Sequence, residues 1–415
     1  MRQVLLRWQR SHRLAPMLAC ILAAGSHCLP AAAAPSAAPR FLIEKISIEG
    51  VKRPGARAII LSQSYLETGR SYTERELQEA VYRIKRLPFV IGADLALRKG
   101  SERGRYELVV TVEETRPVFL DYSLAGTKSS SRFNVPNSVY WTNDGTLGLR
   151  EFVGAEGLAF LAVSDGTNQA RQVQAGYTQY DLFGHGSYAS LTASDNLNAF
   201  QISVIQLTGL AGIPLADNLT LIVSPQWSQG TTSLITIRDW GGTLGLVYRT
   251  TDDPIIPTRG TDLEASVSGT HGTFSSSFFQ DQGAFSQDQI GLVWSATHYW
   301  PITRRQSLGL SLGGAAFHGN LVAPFQGPAM AAAEPGFNAD LLLLYSASLW
   351  GGAATRRYGD LRFEVSAGDT FAHYTPGFVF VPNDARQITA SAGLVFRNEW
   401  GILRFGFNYY GLVLQ

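Results

Sequence analysis

The sequence predicts a membrane all-β protein, an antiparallel transmembrane β-barrel of about 16 strands preceded by a small α+β domain. Three observations predict it. Over Pro117–Gln415, apolar residues alternate with small or polar ones in short segments separated by turn residues. Charged residues are only 16% of the 415, against roughly 25% in an ordinary soluble domain. An export leader opens the chain, and no later run approaches the roughly 18 apolar residues of a spanning helix. Hydrophobic content of 45% excludes a disordered chain, and a formal net charge of +1 gives no field to attract nucleic acid.

The leader comes first. Arg2, Arg7, Arg10 and Arg13 are followed by the short apolar stretch Leu14–Ala24 and the small residues Ala31–Ala34. This is the pattern of a secretory signal peptide over residues 1–34, with cleavage near Ala33 or Ala34. Cys20 and Cys28 both lie upstream of that cut. The mature chain is therefore expected to have neither disulfides nor thiol chemistry.

Residues 39–116 read as a β-α-α-β-β domain. Phe41–Gly50 places Ile46, Ile48 and then Val51 at strand-like intervals, and Ala56–Leu66 reads as a helix. Thr73 and Glu76 form a capping-box pattern that opens a second helix. Leu77, Val81, Ile84 and Leu87 make its apolar stripe. Phe89–Leu97 and Tyr106–Glu113 alternate with period two, as strands do. The expected core is Ile46, Ile48, Leu77, Val81, Ile84 and Leu87.

Residues 117–415 read as the barrel. Leu403, Phe405, Phe407 and Tyr409 share one face, opposite Arg404, Gly406 and Asn408. Leu361, Phe363 and Val365 oppose Arg362, Glu364 and Ser366, and Leu263, Ala265 and Val267 oppose Glu264, Ser266 and Ser268. A strand separates such faces at every step and a helix does not. Trp227, Tyr248, Trp294, Tyr299, Trp300, Trp350, Tyr409 and Tyr410 sit near segment ends, as in interfacial girdles. Because hydrocarbon leaves unpaired backbone groups unsolvated, the strands must close on themselves. At roughly 18 to 20 residues per strand and turn the segment holds about 16 strands, an even count being usual.

One string is more specific than the periodicity. Thr251–Gly260 reads TDDPIIPTRG between two alternating segments. Pro254 and Pro257 forbid ladder donors, Asp252 or Asp253 can cap the turn, and Gly260 lets the backbone re-enter a strand. By itself this is a turn between neighbouring strands.

Asp252, Pro254, Pro257 and Gly260 match the D-x-P-x-x-P-x-x-G motif of the outer-membrane assembly and translocation superfamily (BamA/TamA-like bacterial surface antigens), which the chain resembles. The small domain resembles a polypeptide-transport-associated (POTRA) domain, with Ile46, Ile48, Gly50, Leu77, Leu87 and Phe89 at similar positions. The resemblance implies a bacterial outer-membrane protein whose periplasmic POTRA domain captures an extended polypeptide client. Its barrel, of 16 strands in that family, then inserts or translocates the client. It implies outer-membrane lipid and other periplasmic or outer-membrane proteins as partners, and no cofactor or metal. Two departures stand out. The family's Arg-Gly-Phe/Tyr loop tip, folded into the lumen, has its nearest match at Gly336 and Phe337, within a long loop over about Gly319–Asp340. Pro335 replaces the arginine there. The family's closing aromatic strand is replaced by Leu412–Gln415, so Gly401–Tyr410 reads as a penultimate strand.

Other chemistry is weaker. Gly309–Gly313 matches G-x-S-x-G, but the alternation runs straight through Ser311, whereas a nucleophile elbow needs a strained strand-to-helix turn. His185, His271, His298, His318 and His373 have no metal-ligand spacing. The chain is not expected to be an enzyme. A passive pore, and an anchor whose POTRA domain docks a periplasmic partner, remain open as alternatives to polypeptide transport.

Overall fold

The computed structural model describes residues 39–130, 139–166, 169–198, 203–231, 235–276, 285–321, 336–351, 359–373 and 384–414. The signal-peptide reading and both cysteines lie outside them.

The N-terminal module begins with β1 (Arg40–Glu49). Its register shifts between Ile43 and Lys45, which changes the spacing of inward residues: Ile43 and Ile48 are buried and Ile46 only half-buried. Helix α1 (Pro54–Ser64) starts with proline in its first turn, where the missing N–H has no partner to lose, and ends at Tyr65 with φ +59°. A three-residue strand, β2 (Ser71–Thr73), separates it from α2 (Glu74–Lys85). The expected order is thereby corrected to β-α-β-α-β-β. A strand so short carries no readable alternation, and its existence depends on pairing with β1 at Arg40–Leu42.

The capping box of α2 is formed: Thr73 Oγ1 accepts from Glu76 N–H at 3.3 Å and the Glu76 carboxylate accepts from Thr73 N–H at 2.5 Å. Leu77, Val81, Ile84 and Leu87 are all buried against β3 (Val90–Lys99) and β4 (Arg105–Glu114). The sheet order is β2-β1-β4-β3, with β1 and β4 parallel.

The second part is a closed barrel. Its first strands are β5 (Val118–Ser130), β6 (Val139–Val153), β7 (Gly157–Gly166), β8 (Gln169–Tyr180) and β9 (Tyr188–Asn198). Then come β10 (Ser203–Ala216), β11 (Leu219–Thr231), β12 (Ile235–Arg249), β13 (Gly260–Ser276) and β14 (Phe285–Thr303). The last five are β15 (Gln306–Leu321), β16 (Gly336–Trp350), β17 (Asp360–His373), β18 (Asp384–Asn398) and β19 (Gly401–Leu414).

Among the described residues the closed barrel has 15 strands, not about 16. Several strands exceed the average length behind the expected count, β14 reaching 19 residues. An odd number of up-and-down strands leaves the first and last pointing the same way. Closure is accordingly parallel, from Leu403 opposite Tyr122 to Gly411 opposite Ser130.

Alternation sorts the two faces as expected. Leu147, Leu161, Leu191, Leu244, Val267, Leu343 and Phe405 are among the large apolar side chains exposed on the outer surface. Such a belt is stable against hydrocarbon, not water. On the inner face hydroxyls pair across strands: Thr146 with Ser164 at 2.8 Å, Thr297 with Ser311 at 2.8 Å, and Ser366 with Ser391 at 2.7 Å. β15 runs unbroken through Gly309–Gly313, so Ser311 belongs to this ladder rather than to a strained turn. Of the expected girdle residues, Trp227, Tyr248, Trp300 and Trp350 are exposed. Tyr299 instead faces the bore beside Ile256, because odd positions of β14 point inward.

Candidate functional site

The structure draws its polar machinery together at one end of the barrel, where the module docks and the bore opens. At this end the β6–β7, β10–β11, β14–β15 and β18–β19 connections are two or three residues long, whereas β8–β9 has seven and β16–β17 nine. The longest at this end is the β12–β13 connection, residues 250–259.

Both aspartates of this connection cap it. Asp252 accepts from Thr258 N–H at 2.8 Å and Arg259 N–H at 3.2 Å, and from the Thr258 hydroxyl at 2.5 Å. Asp253 Oδ1 accepts from Ile255 and Ile256 N–H at 2.9 and 3.0 Å. Pro254 and Pro257 stand where no ladder donor is needed. Gly260 has φ +105°, and a Cβ there would lie 2.5 Å from the Thr250 carbonyl oxygen, so only glycine lets the chain turn back into β13.

The connection does more than join neighbours. It folds inward across the mouth and is held by the far wall. Arg397 near the end of β18 donates both terminal nitrogens to Asp253, at 2.8 and 3.1 Å, with the two residues only 5% and 9% exposed. Arg362 of β17 donates to the Ile256 carbonyl at 3.3 Å, while Asp360 accepts from its Nε at 3.2 Å. Ser307 of β15 donates to the Pro257 carbonyl at 3.3 Å. Ile256 at the tip is 1% exposed. The sequence motif named Asp252, Pro254, Pro257 and Gly260; it missed Arg397 as the partner that pins Asp253 and Arg362 as the donor to the Ile256 carbonyl. Inward placement of Arg362 was legible from the alternation, but not what it grips.

The module closes the same opening from below. Tyr82 of α2 hydrogen-bonds the Arg259 guanidinium. Arg86 Nη2 donates to the Arg249 and Thr251 carbonyls at 2.9 and 3.3 Å. Arg83 donates to the Asp217 carbonyl at 3.2 Å and stacks 4.4 Å over Tyr65. Burial, then the neighbouring Arg249 and Arg83 charges, pull the Arg86 guanidinium down to about 10. Apolar contacts seal the joint: Phe89 meets Phe152 edge-to-face at 4.9 Å, and Leu158 and Tyr180 of the barrel are part of the module's own buried core. Arg53, paired with Glu114 at 3.3 Å, lies 4.6 Å over the Phe152 ring.

The other sequence-predicted residues lie elsewhere. Gly336 and Phe337 are not a loop tip. They are the first residues of β16, paired with Phe317 and Ala316 of β15. The ladder captures them because β15 extends to Leu321; residues 322–335, including the Glu334–Pro335 step, lie outside the described residues. Ile46, Ile48, Leu77, Val81, Ile84 and Leu87 serve the module's interior. No cluster of three or more metal-ligating side chains occurs among the described residues.

No family model matches the sequence, and no curated protein sequence matches it. Among solved structures the chain is similar to BamA from Haemophilus ducreyi lacking POTRA domains 1–3, at 14% identity and a TM-score of 0.45, over 89% of this chain and 81% of that one. It is similar to CdiB from Escherichia coli at 13% identity and a TM-score of 0.44, over 86% and 70% of the two chains. It is also similar to CdiB from Acinetobacter baumannii at 11% identity and a TM-score of 0.41, over 89% and 73%. Its structural neighbours include BamA and CdiB barrels, and the likeness is one of fold.

Proposed function

We propose that the protein is a bacterial outer-membrane barrel that inserts or translocates polypeptide clients. Residues 39–116 act as its POTRA domain, held in the periplasm to capture an extended client. The observation that carries this reading is an open sheet edge beside the barrel mouth. β3 pairs with β4 alone, so the outer backbone groups of Val90–Lys99 have no strand partner among the described residues. An extended chain adds to such an edge through main-chain hydrogen bonds, whatever its sequence. Exposed Asp94, Arg98 and Lys99 keep the edge from pairing with a second copy. The longest connection, residues 322–335, lies at the end away from the module, as long extracellular loops do in barrels of this kind.

The polypeptide reading is tested by client crosslinking in cells. A photoreactive residue at Ala96 should capture extended protein chains. Deleting Phe41–Glu114 should leave a barrel that inserts but no longer captures them. Unchanged capture by the deletion variant would overturn the assignment. Transport itself requires the 250–259 connection to leave the mouth, which distinguishes this reading from a permanently open pore.

A further inference from the structure

Between α2 and the inner wall at the mouth lies a cavity of about 390 Å³. It is lined by Arg83 and Arg86, by the rings of Tyr65, Tyr180 and Tyr188, and by inward-facing residues of β8 to β12 such as Thr220. Its charges do not balance. Arg249, also on the lining, is neutralised by Asp262 at 2.7 Å. Arg83 and Arg86 have no carboxylate partner among the described residues and donate only to backbone carbonyls. The Nε of each is buried with no acceptor. Asp217, the one carboxylate on the lining, is exposed and forms no ion pair with either.

Buried cations are ordinarily paired, because carbonyl dipoles satisfy donors but leave the net charge uncompensated. Arg83 and Arg86 are three apart on α2, so they present their charges on one side of the helix. Docking the module explains their carbonyl contacts. It does not explain two guanidinium groups lining one cavity, where burial lowers both and the Arg83 charge adds to the lowering of Arg86. A planar, two-oxygen anion is the group that guanidinium donors pair with most strongly.

We propose that this cavity is a receptor for carboxylate groups of a polypeptide, bound by Arg83 and Arg86 at the entrance to the bore. Lipid phosphate is disfavoured by position: Thr178, Ser190, Thr220 and Ile222 on the lining point into the closed barrel, away from the apolar belt. The tyrosine rings supply the apolar flank that a side-chain carboxylate brings its methylenes against. The assignment rests on the polypeptide-handling reading and specifies what the mouth recognises: an acidic segment.

The test uses the full chain in lipid nanodiscs and three probes: a labelled, end-blocked hexaglutamate peptide, its hexaglutamine counterpart, and inorganic phosphate. Hexaglutamate should bind and hexaglutamine should not. Arg83→Gln and Arg86→Gln should each weaken hexaglutamate binding about tenfold or more, the loss expected for a charged hydrogen bond. Arg86→Lys should weaken it less, and Arg103→Gln on the exposed β3–β4 turn should leave it unchanged. A photoreactive residue at Thr220 provides a readout with both arginines in place, and should capture hexaglutamate alone. Equal binding of the two peptides, or binding indifferent to both arginine variants, overturns the proposal. So does binding of phosphate without hexaglutamate, which marks a free-anion site. Loss of hexaglutamate binding with the variants, alongside failed client capture at Ala96, would sink the polypeptide reading while sparing the site. Client capture retained with no role for the arginines would do the reverse.

Discussion

Breaking the Asp253–Arg397 pair is the sharpest probe of the inward-folded connection. Arg397 makes two hydrogen bonds to Asp253, and both residues are almost fully buried. Replacing Arg397 with methionine leaves the carboxylate with two backbone N–H donors and no counter-charge. Replacing Asp253 with alanine leaves a buried guanidinium whose Nε already lacks an acceptor, and removes the caps at Ile255 and Ile256. Each single change is expected to cost about 3–5 kcal/mol, the usual consequence of stranding one charge. The double variant should cost clearly less than the sum, since it strands neither. Equilibrium urea unfolding in phospholipid vesicles, followed by tryptophan fluorescence, measures all four corners of the cycle. Burial pushes the Asp253 carboxyl up, but the Arg397 charge and hydrogen bonds, with the two backbone N–H groups, outweigh it and hold the carboxyl below its ordinary value. A lowered folded value means stability that is whole above the unfolded carboxylate range, about 3.9, and lost as pH falls through the folded value. The gap between wild type and Arg397→Met should therefore be constant near neutrality and close only in strong acid. Single variants within about 1 kcal/mol of wild type, or costs that simply add, would refute the pin.

Three further outcomes follow from separate parts of the molecule. Gly260→Ala, forced to φ +105° with its Cβ 2.5 Å from a backbone carbonyl, should lose about 1–3 kcal/mol and lower refolding yield; wild-type refolding would contradict the turn geometry. Val267→Arg on the outer belt should cost about 2–4 kcal/mol near mid-bilayer, whereas Gln226→Arg, whose side chain lines a cavity in the bore, should change ion selectivity with little loss of stability. Equal penalties would mean the two faces are misassigned. Thr73→Ala should cost the module about 1 kcal/mol and speed amide exchange at Glu76, whose N–H loses its acceptor; unchanged exchange there would count against the cap.

How much was legible depended on how local each determinant is. The capping box at Thr73 and Glu76 and the buried stripe Leu77, Val81 and Ile84 are set within a few helical turns and stand as read, whereas Leu87 is buried from beyond the end of α2 at Lys85. The bulge after Ile43 is not local. It follows from pairing β1 with β4, and it moved Ile46 from the core to its margin. β2 exists only because β1 offers an edge to it.

By itself the sequence determined the membrane barrel and its inner and outer faces, because side-chain alternation is a property of each strand alone. It also determined that Thr251–Gly260 is a proline-stiffened turn, since φ restrictions act residue by residue. Tertiary structure alone decided the closure, with 15 strands and a parallel seam, because closure depends on register summed around the whole cylinder. It alone decided that the turn folds into the mouth, where Asp253 meets an arginine 144 positions away. Such a charge pair forms only after both walls are in place, and no spacing along the chain encodes it.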